Sequence, residues 1–184
     1  MNLTQKAKEI LADFLKGIES PASIDATCGN GFDTLFLAQN SGKAGKVFAF
    51  DIQKAAVENT RELLQENSLL DRVEIFNAPH EFLKEKIPQE YFGKINAAMF
   101  NLGWLPKSDK KIITKPESTI AAIKAVEEIA NKRKNLISVL AYPAHGGGRR
   151  EFEAVKEYLL KFSPKIFADE SNAASPALFI FEIR

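Results

Sequence analysis

The sequence has a single cysteine, Cys28, among its 184 residues. One cysteine excludes an internal disulfide and any zinc site built from several cysteines. Such low cysteine use favours a reducing compartment, and we predict that the protein is cytoplasmic. Long hydrophobic runs are also missing, because runs such as Ala97–Phe100 and Ala177–Phe181 fall far short of the ~20 apolar residues that span a membrane. Lys8 and Glu9 stand where a secretory signal peptide would be apolar, so we expect no export signal.

A strong charge of either sign is absent as well, since 25 basic residues face 24 acidic ones and the net charge is +1. This balance argues against a domain that coats long duplex DNA, which would usually be strongly basic. Local basic clusters remain, and their default interpretation is a solvated surface: Lys107, Lys110, Lys111 and Lys115, then Lys132, Arg133 and Lys134, then Arg149 and Arg150. What is present in quantity is apolar material, 45% of the residues, which predicts one globular domain over residues 1–184.

Short apolar runs alternate with amphipathic segments, a pattern that is typical of a parallel sheet covered on both faces. The pattern predicts strands over residues 22–26, 46–50, 73–76, 95–100, 136–141, 165–168 and 177–183, and helices over 4–16, 33–39, 54–67, 114–131 and 150–161. The last two strands are too close in sequence for a parallel crossover, so they should form an antiparallel hairpin. The predicted fold class is α/β, with a doubly wound, mostly parallel seven-stranded sheet that ends in this hairpin.

The start of the fourth long helix carries a local signal of its own. Thr114 stands three residues before Glu117, which is the spacing of a capping box, and Pro116 lies in the first turn. Proline is favoured there because the missing N–H would have no partner inside the helix. We therefore predict that Thr114 caps this helix.

Residues 25–31, Asp-Ala-Thr-Cys-Gly-Asn-Gly, join the first strand to the next helix. Small residues allow a ligand to approach the backbone, and the helix start offers free N–H groups. A dinucleotide fingerprint would need a third glycine where Thr34 stands, and Asp25 would face an anionic pyrophosphate. S-adenosylmethionine carries a sulfonium and an ammonium group, so an acid followed by glycines suits it better. A plain strand-to-helix turn is the remaining alternative.

Asp51 ends the second strand about 20 residues after Gly31, where an acid accepts hydrogen bonds from both ribose hydroxyls in nucleoside-binding folds of this kind. Ile52 would then face the adenine ring, and Pro79 and His80 would border its edge after the third strand. The carboxyl ends of parallel strands meet in one crevice. The predicted cofactor-binding set is Asp25, Cys28, Gly29, Asn30, Gly31, Asp33, Asp51, Ile52, Gln53, Pro79 and His80, with no metal ligands.

The arrangement of acid, glycines and terminal Asp51 resembles class I S-adenosylmethionine-dependent methyltransferases, which have a Rossmann-like fold. More narrowly, residues 25–35 and 50–53, residues 99–106 with Asp109 and Lys110, and residues 142–147 resemble three signatures of a small bacterial family once labelled rRNA methylases. That family methylates 5-aminomethyl-2-thiouridine at the wobble position of tRNA. The resemblance implies S-adenosylmethionine as cofactor and a tRNA anticodon stem-loop as partner. This sequence has Phe32 where the family usually has histidine.

Methylation of an amine requires that the nitrogen first loses a proton, because a primary amine is mostly protonated in water. Asn101, at the end of the fourth strand, can offer its side-chain oxygen to the amine, and the Leu102 carbonyl can offer a second acceptor. This resembles the Asn/Asp-Pro-Pro-aromatic loop of amino-group methyltransferases, with Leu102, Gly103 and Trp104 in place of its other residues. The alternative is that Asn101 is an ordinary loop residue.

Further candidates lie in the same two loops. Trp104 and Tyr142 could stack a splayed-out base, and His145 could take a proton near neutral pH; core packing and a structural histidine are the alternatives. Lys110 and Arg149 flank these loops and are predicted to contact RNA phosphates. We expect no catalysis by Cys28.

The leading function is therefore methylation of the wobble aminomethyl uridine in tRNA, with Asn101, Tyr142 and His145 as catalytic candidates. The alternatives are a methyltransferase for rRNA or a small amine, or a cofactor-binding scaffold without catalysis. The sequence leaves a homodimer open.

Overall fold

The computed structural model describes residues 2–103, 114–144 and 147–184. Its helices are α1 (Leu3–Leu15), α2 (Phe32–Asn40), α3 (Lys54–Glu66), α4 (Leu83–Lys86), α5 (Pro116–Ile129) and α6 (Gly148–Leu159). Its strands are β1 (Ala22–Asp25), β2 (Lys46–Asp51), β3 (Val73–Asn77), β4 (Ile95–Asn101), β5 (Leu136–Ala141), β6 (Lys165–Ala168) and β7 (Ala177–Phe181). Within these ranges no helix is both long and apolar enough to cross a membrane.

The strands form one sheet in the order β3-β2-β1-β4-β5-β7-β6. The pairs among β1 to β5 are parallel, whereas β7 runs antiparallel to both β5 and β6. This confirms the predicted mostly parallel seven-stranded sheet with its C-terminal hairpin. The strand order reverses between β1 and β4, so their carboxyl ends border the crevice in which doubly wound folds bind ligands.

Helices cover both faces of the sheet and close a hydrophobic core on each. Phe48 and Phe50 of β2 point to one face, where Phe100, Ile123 and Leu159 are buried with them. The alternate residues of β2, Val47 and Ala49, pack on the other face with side chains of α1, α2 and α3. Burial on both faces explains why these strands read as continuous apolar runs.

The predicted capping box at the start of α5 is wrong. Lys115 is the residue that precedes the helix, and no side chain caps its first N–H groups. The Thr114 hydroxyl donates instead to the buried carboxylate of Glu151 in α6, with 2.7 Å between the oxygens. A buried carboxylate needs donors more than an exposed helix end does, because water can satisfy the latter.

Candidate active site

A cavity of about 970 Å³ opens at the carboxyl ends of the parallel strands. This volume lies near the upper end of the range for small-molecule sites. Many of the predicted site residues line it together: Cys28, Gly29, Asn30, Asp33, Asp51, Ile52, Gln53, Pro79, His80, Asn101, Leu102 and Tyr142. Among the remaining predicted residues, Asp25, Gly31 and Arg149 do not line it, and Trp104, Lys110 and His145 lie outside the described residues.

Asp51 is held at the cavity by backbone donors from two elements. Its Oδ2 accepts the Gly29 N–H at 3.0 Å, and its Oδ1 accepts the Gln53 N–H at 2.9 Å. Burial raises the pKa of this carboxyl, and the N–H donors oppose that shift. Each carboxylate oxygen has two lone-pair sites, so both oxygens retain capacity for a ligand's hydroxyl groups.

The turn after β1 is packed closely against α3. Gly31 has a φ of +83°, and a Cβ there would lie 2.9 Å from the Thr60 Cα. The Thr60 hydroxyl donates to the Gly29 carbonyl at 3.2 Å, and Asn59 donates to Asn30 at 3.1 Å. Gly31 therefore allows the turn to pack against α3 on the side away from the cavity, while Gly29 and Asn30 line the cavity.

Asp25 supports the same turn from inside the protein. It is 1% exposed, and its carboxylate accepts the Thr27 N–H at 3.1 Å and the Thr34 hydroxyl at 2.6 Å. Burial raises its pKa to about 7, and the nearby Asp33 carboxylate adds to the shift. Direct contact between Asp25 and a cofactor stays a prediction, since in this structure the carboxylate serves the turn and α2.

Helix α1 contributes residues that the sequence analysis missed. Thr4 and Lys8 line the cavity, and the Lys8 ammonium forms a largely buried ion pair with Asp33 at 2.8 Å. It also donates to the Phe32 carbonyl at 3.1 Å. The only sequence signal was the spacing of Thr4 and Lys8, one helical turn apart beside the apolar face of α1. The positive charge of Lys8 thus offsets the negative charge of Asp33 at the cavity wall.

His80 lies at the cavity in a neutral form. Its Nδ1 is 3.1 Å from the Ala26 carbonyl, and because a carbonyl only accepts, we assign the proton to Nδ1. Burial lowers its pKa to about 4. A neutral imidazole whose unprotonated Nε2 can accept a hydrogen bond suits contact with a ligand better than proton transfer at neutral pH.

The end of β4 is held between β1 and β5. The Asn101 N–H donates to the Thr27 hydroxyl at 2.8 Å, and the Leu102 N–H donates to the Leu140 carbonyl at 2.9 Å. The Asn101 backbone therefore has a defined place beside the cofactor-binding turn. Tyr142, after β5, reaches the same cavity, and burial raises its pKa, although the nearby Thr4 hydroxyl opposes this. Its phenol stays neutral and can donate a hydrogen bond.

Arg149 lies elsewhere than predicted for a residue facing the site. It is exposed in the first turn of α6 and donates to the Ala173 carbonyl at 3.2 Å. An exposed cation that does line the cavity, besides the ion-paired Lys8, is Lys115. The Cys28 thiol is buried, and burial raises its pKa well above the ordinary value, which makes it a poor nucleophile.

Comparisons with known proteins identify the family of this chain. A family model described as "Putative rRNA methylase" matches residues 47–173. The chloroplastic tRNA (mnm(5)s(2)U34)-methyltransferase of Arabidopsis thaliana is 41% identical over 143 residues, which are 73% of this chain and 51% of the relative. The chain thus spans about half the length of that relative.

Solved structures are similar over nearly the whole chain. A Clostridium thermocellum protein with the same description as the family superposes with a TM-score of 0.89 at 33% identity, covering 99% of this chain and 97% of that one. A Streptococcus mutans protein solved in complex with SAH superposes with a TM-score of 0.76 at 30% identity, covering 95% and 96%.

Proposed function

Because this chain belongs to the rRNA methylase family and is an S-adenosylmethionine-dependent methyltransferase, we propose that it methylates the aminomethyl nitrogen of 5-aminomethyl-2-thiouridine at the wobble position of tRNA. Family membership confirms the resemblance found in the sequence motifs. The name of the Arabidopsis relative, a tRNA (mnm(5)s(2)U34)-methyltransferase, supports the choice of a wobble uridine as substrate.

The cavity fits S-adenosylmethionine, whose sulfonium supplies an electrophilic methyl group when it is bound. Asp51 presents carboxylate oxygens for ribose hydroxyls, and the neighbouring Ile52 is 52% exposed, as an apolar contact for adenine would be. His80 offers a neutral acceptor at the same wall. We propose these three residues for the nucleoside, with Gly29 and Asn30 of the turn nearer the amino-acid part.

One observation supports methylation of an amine most strongly: acceptor groups for an amine lie in the same cavity as the residues proposed to bind the nucleoside. Asn101 and Leu102 line it next to Thr27, to which the Asn101 backbone is bonded. We propose that the Asn101 side-chain oxygen and the Leu102 carbonyl accept hydrogen bonds from the amine and aim its lone pair at the methyl group. Alignment of this kind can lower a barrier by several kcal/mol, up to about 7–11 in favourable cases.

A neutral Tyr142 completes the proposed site. Tyr142 lines the cavity, and its raised pKa keeps the phenol protonated, so it can donate a hydrogen bond to a substrate oxygen or present its ring to a base. Aromatic stacking is the usual way in which proteins hold a splayed-out base of an RNA loop. Lys115 at the cavity wall would contact a phosphate of the anticodon stem-loop.

The test uses purified protein, S-adenosylmethionine and an anticodon stem-loop that carries 5-aminomethyl-2-thiouridine. Nucleoside mass spectrometry should find one added methyl group on the aminomethyl nitrogen. A matched stem-loop with 2-thiouridine lacks the amine and should remain unmodified, and the Asn101→Ala variant should methylate the first stem-loop at least tenfold more slowly than the parent. Modification of the 2-thiouridine control would contradict the proposed target atom.

A second candidate substrate is rRNA, which the description of the family model favours. To distinguish rRNA from tRNA as substrate, the protein is offered rRNA and total tRNA, both from cells that lack the gene. Methyl transfer to rRNA alone would replace our proposal, and transfer to neither would favour a small amine or a scaffold role.

We also propose a cytoplasmic location, because the sequence has a single cysteine. The homodimer stays a prediction.

A further inference from the structure

Glu151 is a buried carboxylate outside the cavity lining. It lies in the first turn of α6 and is 2% exposed. Its Oε2 accepts the Thr114 hydroxyl at 2.7 Å, and its Oε1 accepts the Thr119 hydroxyl at 2.7 Å. Burying such a group is unfavourable unless donors compensate, and here both oxygens are bonded to residues at the start of α5. Glu151 thus joins the first turns of two helices.

Thr114 carries this connection to the end of β4. The Gly103 N–H donates to the Thr114 hydroxyl oxygen at 2.9 Å, and the Thr114 N–H donates to the Gly103 carbonyl at 3.1 Å. The Thr114 hydroxyl therefore receives one hydrogen bond from the backbone and gives one to Glu151. These bonds join the two residues that flank residues 104–113.

The position of Gly103 makes the connection relevant to the reaction. It follows Asn101 and Leu102 directly, and all three residues line the cavity together with Thr114. On one side the Asn101 N–H is bonded to Thr27; on the other side, Gly103 is bonded to Thr114 and, through it, to Glu151. The acceptor groups for the amine thus lie between these two hydrogen-bonded supports, with the Leu102 N–H bonded to the Leu140 carbonyl between them. Of the three contacts, only the one to Thr27 belongs to the cofactor-binding turn.

We propose that Glu151 is a positioning residue for methyl transfer: through Thr114 it holds Gly103, and thereby sets where the Asn101 side chain and the Leu102 carbonyl meet the substrate amine. This inference rests on the roles proposed above for Asn101 and Leu102. In-line attack on a methyl group tolerates little misalignment, since a displacement of about 1 Å can cost about a hundredfold in rate. Cofactor affinity should depend on Glu151 much less, because Asp51 and the turn are held by other contacts.

The test compares Glu151→Ala, Glu151→Gln and Thr114→Val with Glu153→Gln, a control on an exposed residue of the same helix. Single-turnover methylation of the stem-loop should slow roughly ten- to hundredfold in Glu151→Ala and Thr114→Val, and change little in Glu153→Gln. Glu151→Gln should be intermediate, because its amide oxygen can still accept one hydroxyl. Calorimetry should find nearly unchanged S-adenosylmethionine affinity in all four variants.

Two further variants separate positioning from a general loss of stability. Thr119→Val removes the other hydroxyl bond of Glu151 and leaves the bonds between Thr114 and Gly103 in place, so its rate should fall less than that of Thr114→Val. The double variant Glu151→Ala/Thr114→Val should be no slower than the slower single variant, since both interrupt one connection. The proposal would be overturned if the rate losses of Glu151→Ala and Thr114→Val multiplied in the double variant, or if Thr119→Val lost more rate than Thr114→Val. Equal methylation rates in Glu151→Ala and Glu153→Gln would overturn it as well.

Hydrogen exchange keeps the test independent of the substrate. The Gly103 and Thr114 N–H groups are bonded between these two residues, and their exchange should be faster in Glu151→Gln and Thr114→Val than in Glu153→Gln. A parent protein that leaves the stem-loop unmethylated would refute the proposed function. Equal exchange rates of these two N–H groups in all variants would instead refute the connection through Thr114. Should Glu151→Ala fail to fold, Glu151→Gln and Thr114→Val carry both measurements.

Discussion

The Asp51→Ala variant tests the predicted ribose contact most directly. The substitution removes a carboxylate that accepts the Gly29 and Gln53 N–H groups at 3.0 and 2.9 Å and, in our proposal, the ribose hydroxyls. Losing the ligand's hydrogen bonds should cost about 1–3 kcal/mol, which corresponds to a dissociation constant about 5- to 150-fold larger. The two backbone donors lose a charged acceptor as well. Hydrogen bonds to charged groups contribute about 1.5–3 kcal/mol each to folding stability. Asp51 is only half-buried, so water can reach these donors, and burial of the carboxyl, which raises its pKa, offsets part of the gain. We therefore expect a net loss of about 1 kcal/mol of folding stability.

The assay combines calorimetry with S-adenosylmethionine and thermal unfolding without ligand. Asp51→Asn should show smaller losses in both, because its amide oxygen can still accept one N–H group while its amide nitrogen faces the other. Asp71→Ala removes an exposed acid just before β3 and should change neither quantity. NAD should not bind measurably to the parent protein.

An Asp51→Ala variant that is folded and binds S-adenosylmethionine as tightly as the parent would refute the ribose contact. An unchanged melting temperature would refute the argument that the Asp51 carboxylate holds the turn after β1. The two results are independent, so each part of the reasoning can fail alone.

The remaining predictions concern other parts of the site. Asn101→Ala should keep its cofactor affinity but lower the single-turnover rate at least tenfold, a barrier rise of about 1.4 kcal/mol, and a near-parental rate would remove Asn101 from the mechanism. The stability that protonated Asp25 contributes is present below its ordinary pKa of 3.8 and is lost as the pH rises through its folded pKa of about 7. The parent should therefore lose stability from pH 4 to pH 8, whereas Asp25→Asn has no carboxyl to ionise, so the melting temperature of the variant should rise relative to that of the parent over this range. A pH-independent difference would contradict the raised pKa of Asp25. Charge removal at Lys115 should reduce the slope of log affinity for tRNA against log salt concentration by roughly 0.7–0.9. If Arg133→Ala has this effect and charge removal at Lys115 does not, the tRNA binds at the opposite edge of the sheet.

The sequence by itself was enough for the seven strands and for the longer helices of the described residues, although not for the four-residue helix α4. The parallel strands are continuous apolar runs because they are buried on both faces, so β1 to β5 could be recognised from local composition. The short connection before β7 required an antiparallel hairpin. The convergence of residues 28–30, 51–53, 79–80 and 101–102 on one cavity followed from a general property of parallel sheets, whose strand ends meet at one edge.

The tertiary structure decided what depends on contacts between residues distant in sequence. Thr114 bonds Glu151, 37 residues away, although its local spacing resembles a capping box. Lys8 pairs with Asp33 only because α1 packs beside the turn, and the neutral state of His80 comes from burial that no motif records. Local preferences are weak, about 1 kcal/mol for a helix cap, and the need to satisfy a buried charge is stronger. Local sequence therefore identified where the strands end, and the partners of the buried polar groups there were set by the packing of the whole domain.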